Sequence, residues 1–225
     1  MNPIVLLHGA LGSSSQLLPV MQLLEQHGRN VYRMNFSGHS GELFQSTFGI
    51  ETFTEDILHF LDEHKISTAD FFGYSMGGYV ALWLAHQHSE RVGKIITLGT
   101  KFDWSPDSAI REVAKLDPEK IQQKVPAFAR ILEHRHAPND WKVLLRKTAG
   151  MMLHLGHQPL LTPEVLRTIT NRVEVCLGDR DDMADRDYTR IVANTLPNAA
   201  FHLLDNTTHP IEKVNLDLLM SFFQE

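Results

Sequence analysis

The sequence predicts an α/β fold class: a mainly parallel sheet of about six strands, with helices on both faces and a helical segment inserted before the last two strands. Short apolar runs alternate with helical patterns through the first hundred residues. The alternation stops after Thr100 and resumes with the apolar run Val173–Leu177. In addition, Ser75 stands between a predicted strand and a predicted helix, flanked by glycines that allow a sharp turn.

Six apolar runs have the length and spacing of buried strands. In chain order, the predicted strands are Ile4–Leu7, Asn30–Met34, Ala69–Tyr74, Lys94–Leu98, Val173–Leu177 and Ala200–Leu204. The helices predicted between and after them are Pro19–His27, Thr54–His64, Met76–His88, Asp187–Leu196 and Asn215–Gln224. Alternation of this kind implies parallel strands joined by right-handed crossovers, so that helices cover both faces of the sheet.

Between Lys101 and Asn171 the sequence has helical patterns and no convincing strand. The helices predicted there are Ser108–Leu116, Pro118–Glu133, Asn139–Leu155 and Pro163–Thr170. A helical insertion between two parallel strands lies over their C-terminal edge, where such sheets bind ligands. We therefore expect residues 101–171 to form a cap over a pocket, on a core made of residues 1–100 and 172–225.

The pentapeptide Gly73-Tyr74-Ser75-Met76-Gly77 is the most informative motif of the chain. Between a strand and a helix, a G-x-S-x-G sequence forms a tight turn that lifts the serine oxygen out of the sheet. A side chain at either flanking glycine would collide with neighbouring backbone. The alternative interpretation is a tight turn whose serine caps the following helix.

A serine hydroxyl is a poor nucleophile at neutral pH and needs a base and an orienting acid. Strand–turn–helix sites supply them in the chain order serine, acid, histidine. Here Asp179, Asp181 and Asp182 follow the fifth predicted strand, and His209 follows the sixth, so all reach the same sheet edge as Ser75. The alternative interpretations are a solvated acidic turn and a surface-loop histidine.

The sequence His8-Gly9-Ala10 directly follows the first predicted strand. A tetrahedral intermediate needs backbone donors for its oxyanion. Gly9 lets the chain turn so that the Ala10 amide points into the site, and the Met76 amide at the start of a helix supplies the second donor. His8 is expected to support this loop rather than to react.

These motifs together resemble the α/β-hydrolase superfamily, specifically its capped, cofactor-free members. The resemblance rests on motifs spread over nearly the whole chain: His8-Gly9, Gly38-His39-Ser40, Gly73–Gly78, Gly178-x-x-Asp181 and the late His209. It implies that Asp181, three residues after a glycine, is the acid, with Asp182 as the alternative. The chain departs from the family pattern at Ser40 and Thr208, where glycine is common, and in having no leading antiparallel strand pair.

The composition of the chain indicates which classes of partner and which cellular compartment to expect. The formal net charge of −6 and the pI near 6.1 argue against nucleic acid or an anionic membrane as a partner. The single cysteine, Cys176, excludes an internal disulfide and fits a reducing compartment. The N-terminal apolar run Ile4–Leu7 has no basic segment before it and is too short for a signal peptide, so we expect a cytoplasmic protein.

No metal site is predicted. His154 and His157 share a helix face, but no third ligand is evident nearby. His134 and His136 are two apart and point in different directions on a helix.

The function expected from these residues is a serine hydrolase without cofactor, acting on a small or medium carboxylic ester or thioester. Trp104, Met151 and Met152 are candidates for the substrate pocket, because methionine suits an irregular apolar shape. Relatives with the same triad open lactones, hydrolyse carbon–carbon bonds or eliminate in menaquinone synthesis, and those reactions remain alternatives. A receptor of the same fold that hydrolyses its ligand slowly is another.

Overall fold

A six-stranded sheet forms the centre of the protein, for which the computed structural model describes residues 1–223. The strands are β1 (Ile4–Leu7), β2 (Val31–Arg33), β3 (Ala69–Tyr74), β4 (Val92–Leu98), β5 (Val173–Gly178) and β6 (Ala199–Leu204). Their order is β2-β1-β3-β4-β5-β6, and every neighbouring pair is parallel. This confirms the predicted mainly parallel sheet of six strands.

Ten α-helices surround the sheet in the described part of the chain. They are α1 (Leu18–Gln26), α2 (Ile50–Glu63), α3 (Met76–Gln87), α4 (Pro106–Val113), α5 (Pro118–Lys124), α6 (Pro126–His136), α7 (Trp141–His157), α8 (Pro163–Leu166), α9 (Arg186–Thr195) and α10 (Asp217–Met220). Several helices begin at a polar side chain that accepts a hydrogen bond from the first turn. These residues are Ser105 for α4, Asp117 for α5, Asp140 for α7, Thr162 for α8 and Asp185 for α9.

Three helix predictions need correction. The predicted helix Pro118–Glu133 is two helices, because Pro126 starts α6 and cannot continue α5. The predicted helix Pro163–Thr170 ends already at Leu166. The predicted closing helix Asn215–Gln224 is shorter: α10 leads into a 3₁₀ turn at Ser221–Phe223, and Gln224 lies outside the described residues.

The alternation of side chains along the strands divides the core between the two faces of the sheet. Val5 and Leu7 of β1 join the core built with α2 and α3, whereas Ile4 and Leu6 join the core built with α1. Successive side chains of a strand point to opposite faces, so fully apolar strands need helices on both. The predicted coverage of both faces is confirmed.

Residues 101–171, here called the inserted segment, lie between β4 and β5 and contain α4 to α8. Helices α5, α6 and α7 share a small core that includes Leu132, Trp141 and Leu145. Leu155 at the end of α7 instead joins the main core beside α2 and α3. Within residues 1–223, no helix combines the length and apolar character needed to cross a membrane.

Parallel pairing brings the loops after β1, β3, β4, β5 and β6 to one edge of the sheet. Tyr74 at the end of β3 lies opposite Leu98 at the end of β4, and Gly178 at the end of β5 lies opposite Leu204 at the end of β6. The residues that follow these strand ends form the candidate site.

Candidate active site

Ser75 occupies a strained turn between β3 and α3. Its backbone has φ 52° and ψ −116°, a conformation that costs a non-glycine residue on the order of 1–3 kcal/mol. A Cβ at Gly77 would lie 2.4 Å from the Leu7 carbonyl oxygen, which explains why the turn needs glycine there. The Ser75 amide donates to the Leu98 carbonyl at 2.8 Å, and Thr100 Oγ1 donates to the Ser75 carbonyl at 3.0 Å. Since the Ser75 side chain makes no capping hydrogen bond to α3, the helix-cap interpretation is wrong.

His209 and Asp181 form a buried hydrogen-bonded pair. His209 Nδ1 lies 2.8 Å from Asp181 Oδ2, and the two side chains are 8% and 2% exposed. The other carboxylate oxygen, Oδ1, accepts the amides of Met183 at 2.9 Å and Ala184 at 3.0 Å. Because the carboxylate can only accept from the ring, Nδ1 carries a proton, and in the neutral form of the ring Nε2 is then an acceptor.

The neighbouring aspartates, Asp179 and Asp182, make no hydrogen bond with the His209 ring among the described residues. Asp182 is exposed, whereas Asp179 Oδ1 accepts the Thr207 amide at 2.9 Å. Backbone donors, first that of Asn206 and then that of Thr207, lower the pKa of the Asp179 carboxyl. Asp179 therefore joins the loop after β5 to the loop that carries His209.

Ser75 and His209 line one cavity of about 320 Å³. The other residues predicted for the site line the same cavity: Ala10, Met76, Trp104, Met151 and Met152. Asp181 lies behind His209, away from the lining. Within residues 1–223 the Ser75 hydroxyl makes no hydrogen bond with another residue, so Ser75 and His209 share the cavity without touching through a hydrogen bond.

The loop after β1 has an irregular backbone. Leu11 has φ 57°, and the Gly12 amide donates to the Gly9 carbonyl at 3.0 Å. His8 Nδ1 lies 2.8 Å from the same carbonyl oxygen, which confirms that His8 supports this loop. Among the described residues, the Ala10 amide has no acceptor, and Ala10 lines the cavity.

Sequence reasoning missed several polar side chains of the cavity. The Tyr74 hydroxyl donates to the His209 carbonyl at 3.1 Å, and Gln16 Nε2 donates to Glu212 Oε1 at 2.6 Å. Arg135 of α6 also lines the cavity. Only Tyr74 carried a signal in the sequence, since it directly precedes the serine at the end of a strand.

Three histidines, His8, His39 and His136, are fully buried beside the loop after β1. The ring of His39 has its centroid 4.9 Å from that of His8 and 5.8 Å from that of His136. Burial lowers the pKa of His8 and of His136 from the ordinary 6.5 to about 4, and lowers the pKa of His39 well below 6.5. All three are therefore neutral near pH 7. In the described part of the chain, no three His, Cys, Asp or Glu side chains are grouped so as to hold a metal ion.

Comparison with known proteins agrees with this fold. A family model described as alpha/beta hydrolase fold matches residues 2–148. The chain belongs to the α/β-hydrolase fold family, as the motifs predicted.

Three similar proteins illustrate the range of this family. A probable alcohol acetyltransferase of Cyberlindnera fabianii is 35% identical over 99 residues, which are 42% of this chain and 27% of that protein. Esterase YbfF of Escherichia coli (strain K12) is 29% identical over 98 residues, 43% of this chain and 38% of the esterase. The matched part of this chain thus spans less than two fifths of either relative. The crystal structure of the enol-lactonase from Burkholderia xenovorans LB400 has a TM-score of 0.78 at 21% identity, covering 100% of this chain and 92% of that one, and shows the shared fold.

Proposed function

We propose that this protein is a serine hydrolase that works through an acyl-enzyme, with Ser75 as nucleophile, His209 as base and Asp181 as orienting acid. The observation that carries the proposal is the 2.8 Å contact of His209 Nδ1 with Asp181 Oδ2, beside a cavity that the strained Ser75 also lines. A histidine held in this tautomer presents Nε2 as proton acceptor, which is what a serine nucleophile requires.

In the first half-reaction, Ser75 Oγ bonds to the substrate's carbonyl carbon while His209 Nε2 takes the hydroxyl proton. The carbonyl oxygen becomes an oxyanion, which the amides of Ala10 and Met76 stabilise. Its collapse breaks the bond to the leaving alcohol or thiol, which receives the proton from His209. Water then attacks the acyl-enzyme in the same way, and the acid leaves. The hydrogen bond between Ser75 and His209 forms with substrate in place, since catalytic hydrogen bonds are often long without it.

The substrate we propose is a small or medium carboxylic ester or thioester. A cavity of about 320 Å³ is at the small end of ligand sites. Trp104, Phe128, Met151 and Met152 contribute apolar surface to it. All four belong to residues 101–171, which supports the proposal that this segment is a cap that forms the acyl pocket. The chemistry needs no cofactor.

Transfer of the acyl group to an alcohol is the second candidate. It is favoured by the similarity to a probable alcohol acetyltransferase, 35% identical over 99 residues. An acyl-enzyme can react with an alcohol by the same steps as with water, so the two activities differ only in the acceptor. Adding ethanol to the hydrolysis assay and measuring ethyl ester by gas chromatography separates them.

The first test is release of para-nitrophenol from a series of esters, from acetate upward, by the wild type and by Ser75→Ala. We expect release that depends on acyl length and falls by several orders of magnitude in the variant. Ser46→Ala, at an exposed serine, is the matched control and keeps full activity. Equal release by wild type and Ser75→Ala would refute the proposal for simple esters. Carbon–carbon substrates, elimination and a ligand-receptor role would then be tested next.

A further inference from the structure

Leu11 is held in its left-handed conformation from outside the sheet. Its carbonyl oxygen accepts two hydrogen bonds from α6, from Arg135 Nη1 at 2.9 Å and from His136 Nε2 at 3.0 Å. Its side chain packs against the small core that α5, α6 and α7 share. A leucine at φ 57° is strained, so contacts of this kind are needed to hold it there.

His136 can make its two hydrogen bonds, to the Leu11 carbonyl and from the Ser40 amide, only as a neutral ring in one tautomer. The Ser40 amide donates to His136 Nδ1 at 3.1 Å, so the ring proton is on Nε2, where it reaches the Leu11 carbonyl. The ring is 0% exposed. His136 therefore connects α6 with two loops of the sheet edge.

The position of the Leu11 carbonyl affects the orientation of two peptide groups, the one it forms with Gly12 and the earlier one between Gly9 and Ala10. The Leu11 carbonyl and the Gly12 amide belong to one planar peptide group, and the Gly12 amide donates to the Gly9 carbonyl at 3.0 Å. The Gly9 carbonyl in turn shares a trans peptide group with the Ala10 amide, so the two point in opposite directions. The Gly9 carbonyl also accepts from His8 Nδ1, and His8 is buried and does not line the cavity, whereas Ala10 does. We therefore expect the Ala10 amide, on the opposite side of the peptide group, to face the cavity.

We propose that Arg135 and His136 are positioning residues for the oxyanion hole: from α6 they hold the Leu11 carbonyl and thereby set the direction of the Ala10 amide at Ser75. This inference rests on the proposed function for the role of Ala10. It assigns to α6 a part in transition-state stabilisation in addition to any contact with substrate.

The kinetic test compares Arg135→Met and His136→Phe with the wild type. An oxyanion donor acts in the transition state, so we expect kcat to fall and KM to stay within about twofold. A misplacement of about 1 Å costs up to about 10²-fold, so the expected loss in kcat is about 10- to 100-fold. Arg130→Met and His134→Phe are matched controls, because both residues are on α6 and exposed. A rise in KM with unchanged kcat would mean that the side chains only bind substrate, and would overturn the proposal.

Two conservative substitutions of His136, to Gln and to Asn, distinguish the effects of the two hydrogen bonds that the ring makes. In His136→Gln the amide nitrogen lies near the position of Nε2 and keeps a donor for the Leu11 carbonyl. In His136→Asn the shorter amide keeps only an acceptor near Nδ1 for Ser40. We expect the Gln variant to retain most of kcat and the Asn variant to lose as much as His136→Phe. The reverse order would refute the role of the Leu11 contact and remains measurable if the Phe variant does not fold.

Amide hydrogen exchange measured by NMR provides a readout that does not depend on turnover. In Arg135→Met the Gly12 amide should exchange faster than in the wild type, while Arg130→Met leaves it unchanged. Unchanged exchange at Gly12 in Arg135→Met would overturn the proposal whatever the kinetics. Absence of Ser75-dependent hydrolysis in the wild type would instead refute the proposed function, and Gly12 exchange would still decide whether α6 holds this loop.

Discussion

Acidification should destabilise this protein strongly between pH 6.5 and pH 5, well before most carboxylates take up protons. The cause is the group of buried neutral histidines, His8, His39 and His136, each 0% exposed. Burial is the main reason that their pKa values are low, and in His136 the charge of the adjacent Arg135 acts in the same direction. On unfolding they regain ordinary pKa values and bind protons, so acid favours the unfolded chain.

The loss of free energy of unfolding on acidification follows from the difference between the folded and unfolded pKa values of these histidines. A histidine whose pKa is about 4 when folded and 6.5 when unfolded is mostly protonated at pH 5 only in the unfolded chain. Relative to pH 7.5, each such residue lowers the free energy of unfolding at pH 5 by about 2 kcal/mol. His8 and His136 together then lower it by about 4 kcal/mol, and His39 adds a loss of the same sign. Total stabilities are typically about 5–15 kcal/mol, so the effect is large.

The assay is urea denaturation, followed by circular dichroism, at pH 7.5, 6.5, 5.5 and 5.0. The free energy of unfolding should be nearly level above pH 7 and fall progressively below 6.5. His136→Gln removes one titrating group, so the free energy of unfolding should fall less steeply with decreasing pH. The slope should correspond to about one proton fewer taken up per molecule on unfolding. His134→Gln, at an exposed histidine, should leave the pH dependence unchanged. A free energy of unfolding that differs by less than about 1 kcal/mol between pH 7.5 and pH 5 would refute the reasoning.

Three substitutions test the contacts around His209. Asp181→Asn should lower kcat by about 10⁴-fold, as loss of the orienting carboxylate does in other triads, while Asp182→Asn leaves kcat unchanged; equal effects in an ester assay would contradict the choice of acid. Gly99→Ala should destabilise the fold by about 1–3 kcal/mol in urea denaturation, because Gly99 has φ 62° and a Cβ there would lie 2.9 Å from Asp181 Oδ2 and 3.2 Å from His209 Nδ1. Full stability and full activity of that variant would show that the close approach is tolerated. Tyr74→Phe removes the hydrogen bond to the His209 carbonyl and should lower the free energy of unfolding by about 1 kcal/mol. An unchanged free energy of unfolding in urea would disprove this.

The sheet and its strand-end residues could be predicted because they depend on local patterns. Apolar runs mark the strands, and parallel connection brings every C-terminal strand end to one edge. The choice of Ser75 and His209 rested on their place after such runs, on the G-x-S-x-G sequence and on the chain order serine, acid, histidine, and both residues line the same cavity. The close approach of Gly99 to Asp181 was missed, since it depends on how two loops pack rather than on either strand.

The inserted segment was harder to predict, because its contacts join residues far apart in the chain. Arg135 and His136 reach Leu11, which precedes them by more than 120 residues, and nothing in the local pattern of α6 marks either contact. For His136 the sequence indicated only that it points away from His134. Helix periodicity gives the buried face of α6, but the element that this face meets is decided by tertiary packing.

The low pKa values of His8 and His136 keep both rings in the neutral form that their hydrogen bonds beside the loop after β1 require. His8 accepts the Phe36 amide on Nε2 and donates from Nδ1 to the Gly9 carbonyl, and His136 accepts the Ser40 amide on Nδ1 and donates from Nε2 to the Leu11 carbonyl. Only a neutral imidazole has one donor and one acceptor, so a proton on either ring would break one of its two contacts. Burial keeps both rings in that state near neutral pH. The same burial therefore links acid stability to the direction of the Ala10 amide in the proposed site.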